Sequence, residues 1–161
     1  MYGASKLKGE ELVFINDPSA IVIRTSWVYS SFGKNFVKTM FRLLKEKDEI
    51  NVVNDQYGSP TYAADLADAI LQITGPDDIT GVKGIFNYCN SGVTTWYDFA
   101  IAIKKSIKSK CIIHPISTEG YPTPAKRPHY SALDTSRIKK TFGIAIPKWK
   151  DSLHKCLSLL S

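Results

Sequence analysis

Apolar positions along the chain switch repeatedly between helical and extended spacing, and each switch marks an element. Gly3 to Asn16 predicts a helix that Asp17-Pro18 stops. The run Ala20-Ile21-Val22-Ile23-Arg24-Thr25-Ser26-Trp27-Val28-Tyr29 is apolar and β-branched, the pattern of a strand covered on both faces in a parallel sheet. Ser30, Ser31 and Gly33 then form a loop, and Asn35 caps a helix in which Phe36, Met40, Leu43 and Leu44 recur at helical spacing to about Lys47. Glu49 to Asn54 predicts a short strand with Ile50 and Val52 on one face. A loop, Asp55-Gln56-Tyr57-Gly58-Ser59-Pro60-Thr61, follows it.

Leu66, Ile70 and Ile73 mark a third helix, closed by Gly75-Pro76, and Ile85 to Asn90 predicts a further strand. Thr95-Trp96-Tyr97-Asp98 has the form of a capping box, opening a helix whose buried stripe is Trp96, Phe99, Ala100, Ile103 and Ile107. Cys111 to Ile116 is extended again. Between Ser117 and Pro128 three prolines, Pro122, Pro124 and Pro128, rule out regular structure and predict a surface loop carrying Lys126 and Arg127. Asp134 opens a short helix with Ile138 and Phe142 on one face and Gly143 at its end. Trp149, Leu153, Cys156, Leu157 and Leu160 stripe a last helix. Alternating strands and helices make the class α/β.

Composition narrows the function classes. The 161 residues, 43% hydrophobic and 22% charged, suit one soluble domain with a core of its own. No apolar run approaches the roughly 18 residues a membrane helix needs, and three scattered cysteines, Cys89, Cys111 and Cys156, read as core thiols in a reduced, cytoplasmic setting. His114, His129 and His154 are too far apart in sequence to suggest a local metal site, so none is assigned. The net charge of +6 points to an anionic partner. Its lysines cluster late in helices (Lys104, Lys105, Lys108 and Lys110; Lys139 and Lys140), where they meet the negative end of the helix dipole, and no basic stripe interleaved with aromatics marks a nucleic-acid groove.

The sharpest chemical feature is Tyr2 and Lys6, four residues apart at the start of the first helix and so on one face of it. A tyrosine titrates near about 10, and a neighbouring cation favours the phenolate. A phenol so tuned can give a proton to a carbonyl oxygen while a cofactor gives hydride to the carbon. As a short pattern it also occurs by chance, so its weight comes from context.

That context is a series of blocks: Tyr2-Gly3-Ala4-Ser5-Lys6, Arg24-Thr25-Ser26-Trp27-Val28-Tyr29, Asn35-Phe36-Val37-Lys38-Thr39-Met40, Asp55 to Tyr62, and Pro124-Ala125-Lys126-Arg127-Pro128 with Ser131-Ala132-Leu133-Asp134. In this order they resemble the extended short-chain dehydrogenases, and more narrowly the dTDP-4-dehydrorhamnose reductase family. The resemblance implies a Rossmann-like α/β fold, an NADPH or NADH cofactor and a dTDP-sugar substrate. Tyr2 becomes the proton donor, and Lys6 both tunes it and positions the nicotinamide ribose. Trp27, Asn35 and Arg127 become substrate-binding residues, with Arg127 suited to a diphosphate by its planar fork. Arg24, inside an apolar strand, reads instead as a paired structural charge.

The ten glycines contain no G-x-G-x-x-G or G-x-x-G-x-x-G spacing, so the turn that holds dinucleotide phosphates is not in this sequence. The family's Ser or Thr upstream of the tyrosine also has no counterpart here. The chain is therefore expected to be the C-terminal part of such a reductase, through a segment boundary, an internal start or a split gene, and inactive by itself. Within residues 1–161, residues 1–30 would be a remnant of the Rossmann core and 31–161 mainly a substrate-binding region. The strand at Ala20 to Tyr29 then needs cover from a second copy or a separate N-terminal half. Two other readings stay open: a non-catalytic module like the regulatory subunit of methionine adenosyltransferase, and another sugar-nucleotide epimerase, dehydratase or reductase.

Overall fold

The computed structural model describes residues 2–75, 80–122 and 127–160, with only the backbone of Tyr2. Pro76, Pro124 and Lys126, named above, lie outside the described residues, as does the side chain of Tyr2. The elements are α1 (Tyr2–Asn16), β1 (Ile21–Arg24), β2 (Val28–Tyr29), α2 (Phe36–Glu46), β3 (Glu49–Val53), β4 (Tyr57–Gly58), β5 (Thr61–Tyr62), α3 (Ala63–Ile73), β6 (Gly84–Asn87), β7 (Thr94–Thr95), α4 (Trp96–Ser106), β8 (Ile112–Ile116), α5 (Ser136–Phe142) and α6 (Trp149–Ser158). A 3-10 turn, Thr118–Gly120, interrupts the proline-rich loop.

The strands form four pairs. β1 lies parallel to β6 with Ile21 opposite Gly84, β2 parallel to β5, and β3 parallel to β8 with Glu49 opposite Ile112; β4 and β7 are antiparallel. Two apolar clusters build on them. In the larger, α2, α4 and α6 close over β3 and β8 through Val37, Met40, Leu44, Phe99, Ile103, Ile113, Leu153 and Cys156. In the smaller, α3 and α5 close over β6 through Ala69, Ile73, Phe86, Tyr88, Ile138 and Ile144, with Ile21 and Ile23 of β1 packed against it. Packing thus runs across residue 30, joining β1 to residues beyond it.

Two predicted elements come out differently. The strand expected from Ala20 to Tyr29 is broken into β1 and β2 at Thr25-Ser26-Trp27, because its two parts pair with different partners. β1 is only half-buried, not covered on both faces. The buried face of α3 is Asp65, Ala69 and Ile73, one step round from the predicted Leu66, Ile70 and Ile73, and Ile70 is exposed. The rotation has a physical cause: the carboxylate of Asp65 is satisfied inside the protein, accepting from Asn90 Nδ2 at 2.6 Å and from Ser152 Oγ.

Other elements follow local chemistry as expected. Asn35 is the N-cap of α2, its Oδ1 accepting from the Lys38 N–H at 3.1 Å. Thr95 caps α4, its Oγ accepting from the Asp98 N–H and donating to the Asp98 carboxylate, both at 3.0 Å. Asp134 sets the start of α5 by accepting from the Ser136 N–H at 2.8 Å, and Gly143 ends that helix in the left-handed region at φ 65°.

Candidate active site

Ligands of parallel α/β sheets bind beyond the carboxyl ends of the strands, and here those of β1 and β6 lead into the residues singled out above. After Arg24 the chain leaves the sheet and Trp27 takes φ 49°, a left-handed conformation that costs a bulky residue about 1–3 kcal/mol. Thr61, fully buried, holds it there. Its Oγ donates to the Ser26 carbonyl at 2.7 Å, its N–H donates to the Trp27 carbonyl at 3.2 Å, and its Oγ accepts from Thr25 Oγ at 3.1 Å. Ser26 Oγ adds a bond to the Ser59 carbonyl at 3.0 Å.

The indole of Trp27 is half-buried and stacked face to face on Trp96, with ring centroids 3.5 Å apart and planes within 10°. Gly58 lies against the same ring: a Cβ at position 58 would sit 2.5 Å from Trp27 Cε2 and 2.8 Å from Ser131 Oγ, so no other residue fits without displacing the indole. Phe36, the first residue of α2, contacts Trp96 with centroids 4.6 Å apart, which brings Asn35 into the same neighbourhood. The Asn35 amide is fully engaged. Besides its cap bond, Nδ2 donates to the carbonyls of Ser30 at 2.8 Å and Phe32 at 3.1 Å, fixing the loop before α2.

Arg127 is exposed, and the segment that follows it is docked on the loop between β3 and β5. The Tyr57 N–H donates to the His129 carbonyl at 2.7 Å, and the Ser131 N–H and Oγ donate to the Tyr57 carbonyl at 2.8 and 3.0 Å. His129 Nδ1 lies 3.1 Å from the Asp55 carbonyl oxygen. Asp55 ties this loop to the 3-10 turn by accepting from the Thr118 N–H at 3.0 Å and its Oγ at 2.6 Å, bonds that hold its carboxyl below the usual 3.8. Beside Gly58 and Ser131 a cavity of about 360 Å³ opens, lined by Ser59, Cys89, Asn90, Gly92, Tyr130 and Leu133.

Tyr2 and Lys6 lie on α1, whose Glu10 meets the end of β1. Arg24 at the end of β1 pairs in fork geometry with Glu10, Nε to Oε1 at 2.8 Å and Nη2 to Oε2 at 2.5 Å, which makes it the structural charge the sequence suggests. Positions 2, 6 and 10 recur at i+4, and at 1.5 Å of rise per residue positions 6 and 2 fall about 6 and 12 Å beyond the Glu10 level. Lys6 is exposed.

Trp27, Asn35 and the Arg127 segment therefore converge on Trp96, Gly58 and Tyr57, and α1 is tied to the end of β1 through Glu10 and Arg24. Sequence reasoning missed the supporting parts. Trp96, on the expected buried stripe of α4, is half-buried, while Gly58 and Thr61 carry no signal beyond their place in the Asp55 to Tyr62 block. The signal that could have found them was a bulky residue interrupting a β-branched run, since such a break needs something to hold it. The remaining candidates stay structural. The three cysteines are buried, with Cys156 pushed up to about 11 by burial, and His114 pairs with Glu49 across β3 and β8 at 3.0 Å. Among the described residues no group of three or more His, Cys, Asp or Glu could hold a metal, and no helix is long and apolar enough to cross a membrane.

Comparison with known proteins gives the family. The family model described as RmlD substrate binding domain matches residues 1–161. The dTDP-4-dehydrorhamnose reductase of Aggregatibacter actinomycetemcomitans is 41% identical over 95% of this chain and 55% of its own length. Among solved structures, dTDP-4-dehydrorhamnose reductase from Bacillus anthracis in complex with NADP superposes with a TM-score of 0.90 at 38% identity, over 99% of this chain and 55% of that one. The Clostridium acetobutylicum orthologue gives 0.91 at 40% identity with the same coverage. The chain spans about half the length of the relatives it matches. With its whole length matched and its α/β architecture shared, the chain belongs to the RmlD substrate-binding-domain family, that of the dTDP-4-dehydrorhamnose reductases.

Proposed function

We propose that this chain is the proton-donating and substrate-binding part of an NAD(P)H-dependent reductase that converts dTDP-4-dehydro-L-rhamnose to dTDP-L-rhamnose. The observation that carries the reading is the convergence of Trp27, Asn35 and the Arg127 segment on Trp96, Gly58 and Tyr57. The family relationship supplies the reaction, and the NADP in the Bacillus anthracis structure supplies the class of cofactor.

The residues present suit one end of that cofactor. Lys6 offers an exposed ammonium one helical turn from Tyr2, suited to ribose hydroxyls, whereas the ten glycines supply no phosphate-binding turn. When bound, the nicotinamide supplies hydride. The phenol of Tyr2 hydrogen-bonds the sugar carbonyl oxygen and gives it a proton as charge develops there, and the Lys6 ammonium stabilises the phenolate left behind. Trp27 presents its free surface to the sugar. The diphosphate is met by the backbone amides at the start of α2, since the Asn35 side chain is engaged in the cap, and by the guanidinium of Arg127.

The surfaces of α1 and β1 are where a dinucleotide-binding half would pack. The chain alone is accordingly proposed to bind NADPH weakly and to turn over negligibly. Joined to the part of the Aggregatibacter actinomycetemcomitans relative that it does not cover, it should oxidise NADPH in the presence of dTDP-4-dehydro-L-rhamnose. Tyr2→Phe should then lower kcat by about 10²–10⁴-fold. No turnover by the joined protein, or turnover indifferent to Tyr2→Phe, would sink the reading.

A further inference from the structure

Trp27 is held in an arrangement that indoles do not choose for themselves. Aromatic pairs favour offset or edge-to-face contacts with centroids about 4.5–7 Å apart, because the negative faces of two stacked rings repel. A centroid separation of 3.5 Å with nearly parallel planes leaves almost no offset. The backbone beneath Trp27 is in the left-handed region, which a bulky side chain also avoids. Two unfavourable features at one residue persist only when the surroundings over-determine them. Here they do: Thr61 bonds the carbonyls of both Ser26 and Trp27, Gly58 closes on the benzo ring without room for a methyl group, and Phe36 and the start of α4 fix Trp96.

We infer that Trp96 and Gly58 are positioning residues that set the orientation of the Trp27 indole, and through it the discrimination of the sugar on a dTDP-sugar. The inference rests on the proposal that Trp27 meets the sugar and deepens it. Trp96 covers one face of the indole, so only the other face and the ring edges can meet a ligand. Gly58 blocks the rotation that would turn that surface away. Anchoring the sugar through a rigid indole spares the ordering cost that a mobile side chain would bring to binding.

The test uses the chain itself, labelled with ¹⁵N, and its three tryptophan indole signals, Trp27, Trp96 and Trp149. At 3.5 Å the ring current of Trp96 should displace the Trp27 signals upfield. Trp96→Leu and Gly58→Ala should move the Trp27 indole resonance by several tenths of a ppm or broaden it, and Trp96→Phe should keep most of the native shift. Titration with dTDP and with dTDP-L-rhamnose gives the functional readout. The preference for the sugar nucleotide should fall about tenfold in Trp27→Ala, Trp96→Leu and Gly58→Ala and survive in Trp96→Phe, with affinity for dTDP unchanged throughout. If Trp27→Ala abolishes the preference while Trp96→Leu and Gly58→Ala retain it, or if neither variant moves the Trp27 resonance, the positioning role is overturned and the contact between Trp27 and the sugar stands. If Trp27→Ala leaves the preference intact, or the chain binds neither compound, the underlying contact fails. The sugar-recognition role then falls with it, even where the resonance shifts confirm the stack.

Discussion

The helices α4 and α1 contain similar numbers of apolar residues and live in opposite surroundings. Along α4, Phe99, Ala100 and Ile103 are each 0% exposed, enclosed by α2, α6 and the β3–β8 pair. Along α1, Leu7, Leu12, Val13 and Ile15 are 52%, 48%, 42% and 70% exposed. Both are helices, so propensity does not separate them. What differs is cover: α4 has helices on either side and a strand pair beneath, whereas α1 lies beside the half-buried β1. The layer of α2, α4 and α6 completes its own core, and α1, the helix proposed to bear the proton donor, does not. Apolar residues exposed along one helix mark a surface that another polypeptide segment stabilises by removing it from water.

The largest effect should come from cutting the covered side. Phe99→Ala removes a ring packed against Tyr29, Phe36 and Trp149 and should cost about 3–5 kcal/mol in urea denaturation. Leu12→Ala, on the uncovered side, should change stability by no more than about 0.5 kcal/mol. Equal costs would erase the contrast between the helices. In the joined protein described above, a Leu12→Ala cost that rises toward about 2–5 kcal/mol would show that this face is then buried.

An intermediate effect belongs to the polar link between the two clusters. Asp65 on α3 accepts from Ser152 on α6 and from Asn90, whose own Oδ1 accepts from the Tyr62 N–H at 2.7 Å. All three side chains are buried, so they join the clusters by bonds that water cannot replace. Asp65→Ala removes the acceptor that Asn90 Nδ2 and Ser152 Oγ share, leaving them the longer bonds to the carbonyls of Pro147 at 3.4 Å and Lys148 at 3.3 Å, and should cost about 1–3 kcal/mol. It should also let the α3–α5 layer open ahead of the α2–α4–α6 layer, seen as earlier loss of hydrogen-exchange protection in β6 than in α4. Simultaneous loss in both would mean that apolar packing alone couples them.

What the sequence made legible follows the range of the interactions involved. The caps at Asn35 and Thr95 act within three residues and are readable; Asp134 bonds the first turn of α5 through the Ser136 N–H, while the cap position itself is Thr135. The charge role of Arg24 is readable too, since an isolated arginine in an apolar run needs a carboxylate. The break at Trp27 was not readable, because what imposes it is Thr61, which pairs with the chain 34 residues away and lies in a different strand. The turned face of α3 was hidden for the same reason: Asp65 is a core residue only because Asn90 and Ser152 meet it. Of the site, the block order pointed to Trp27, Asn35 and Arg127. Trp96 looked like one more apolar residue in a helical stripe, since stacking against a distant loop leaves no periodic trace.

The smallest effect tests how α1 is held. The Glu10 carboxyl lies below its ordinary 4.5, chiefly through its hydrogen bonds from Arg24 and then through the charge itself, with partial burial opposing both. A carboxylate with a lowered folded-state pKa contributes its stabilisation in full above the unfolded value, and the contribution disappears as pH falls through the lowered one. The contact between α1 and β1 should therefore be strongest at neutral pH and fade below about pH 4.5. A partly exposed pair contributes only about 0.2–1 kcal/mol, so Glu10→Gln should reduce amide protection in α1 at pH 7 by no more than about fivefold. At a pH below the lowered value the variant and the parent should be indistinguishable, because the parent's carboxyl is then protonated as well. Protection in α4 should not respond at either pH, since its enclosure owes nothing to this pair. If Glu10→Gln lowers protection equally at both pH values, the carboxylate charge is not what holds the helix. If α4 loses protection along with α1, the two regions are more tightly coupled than their unequal cover implies.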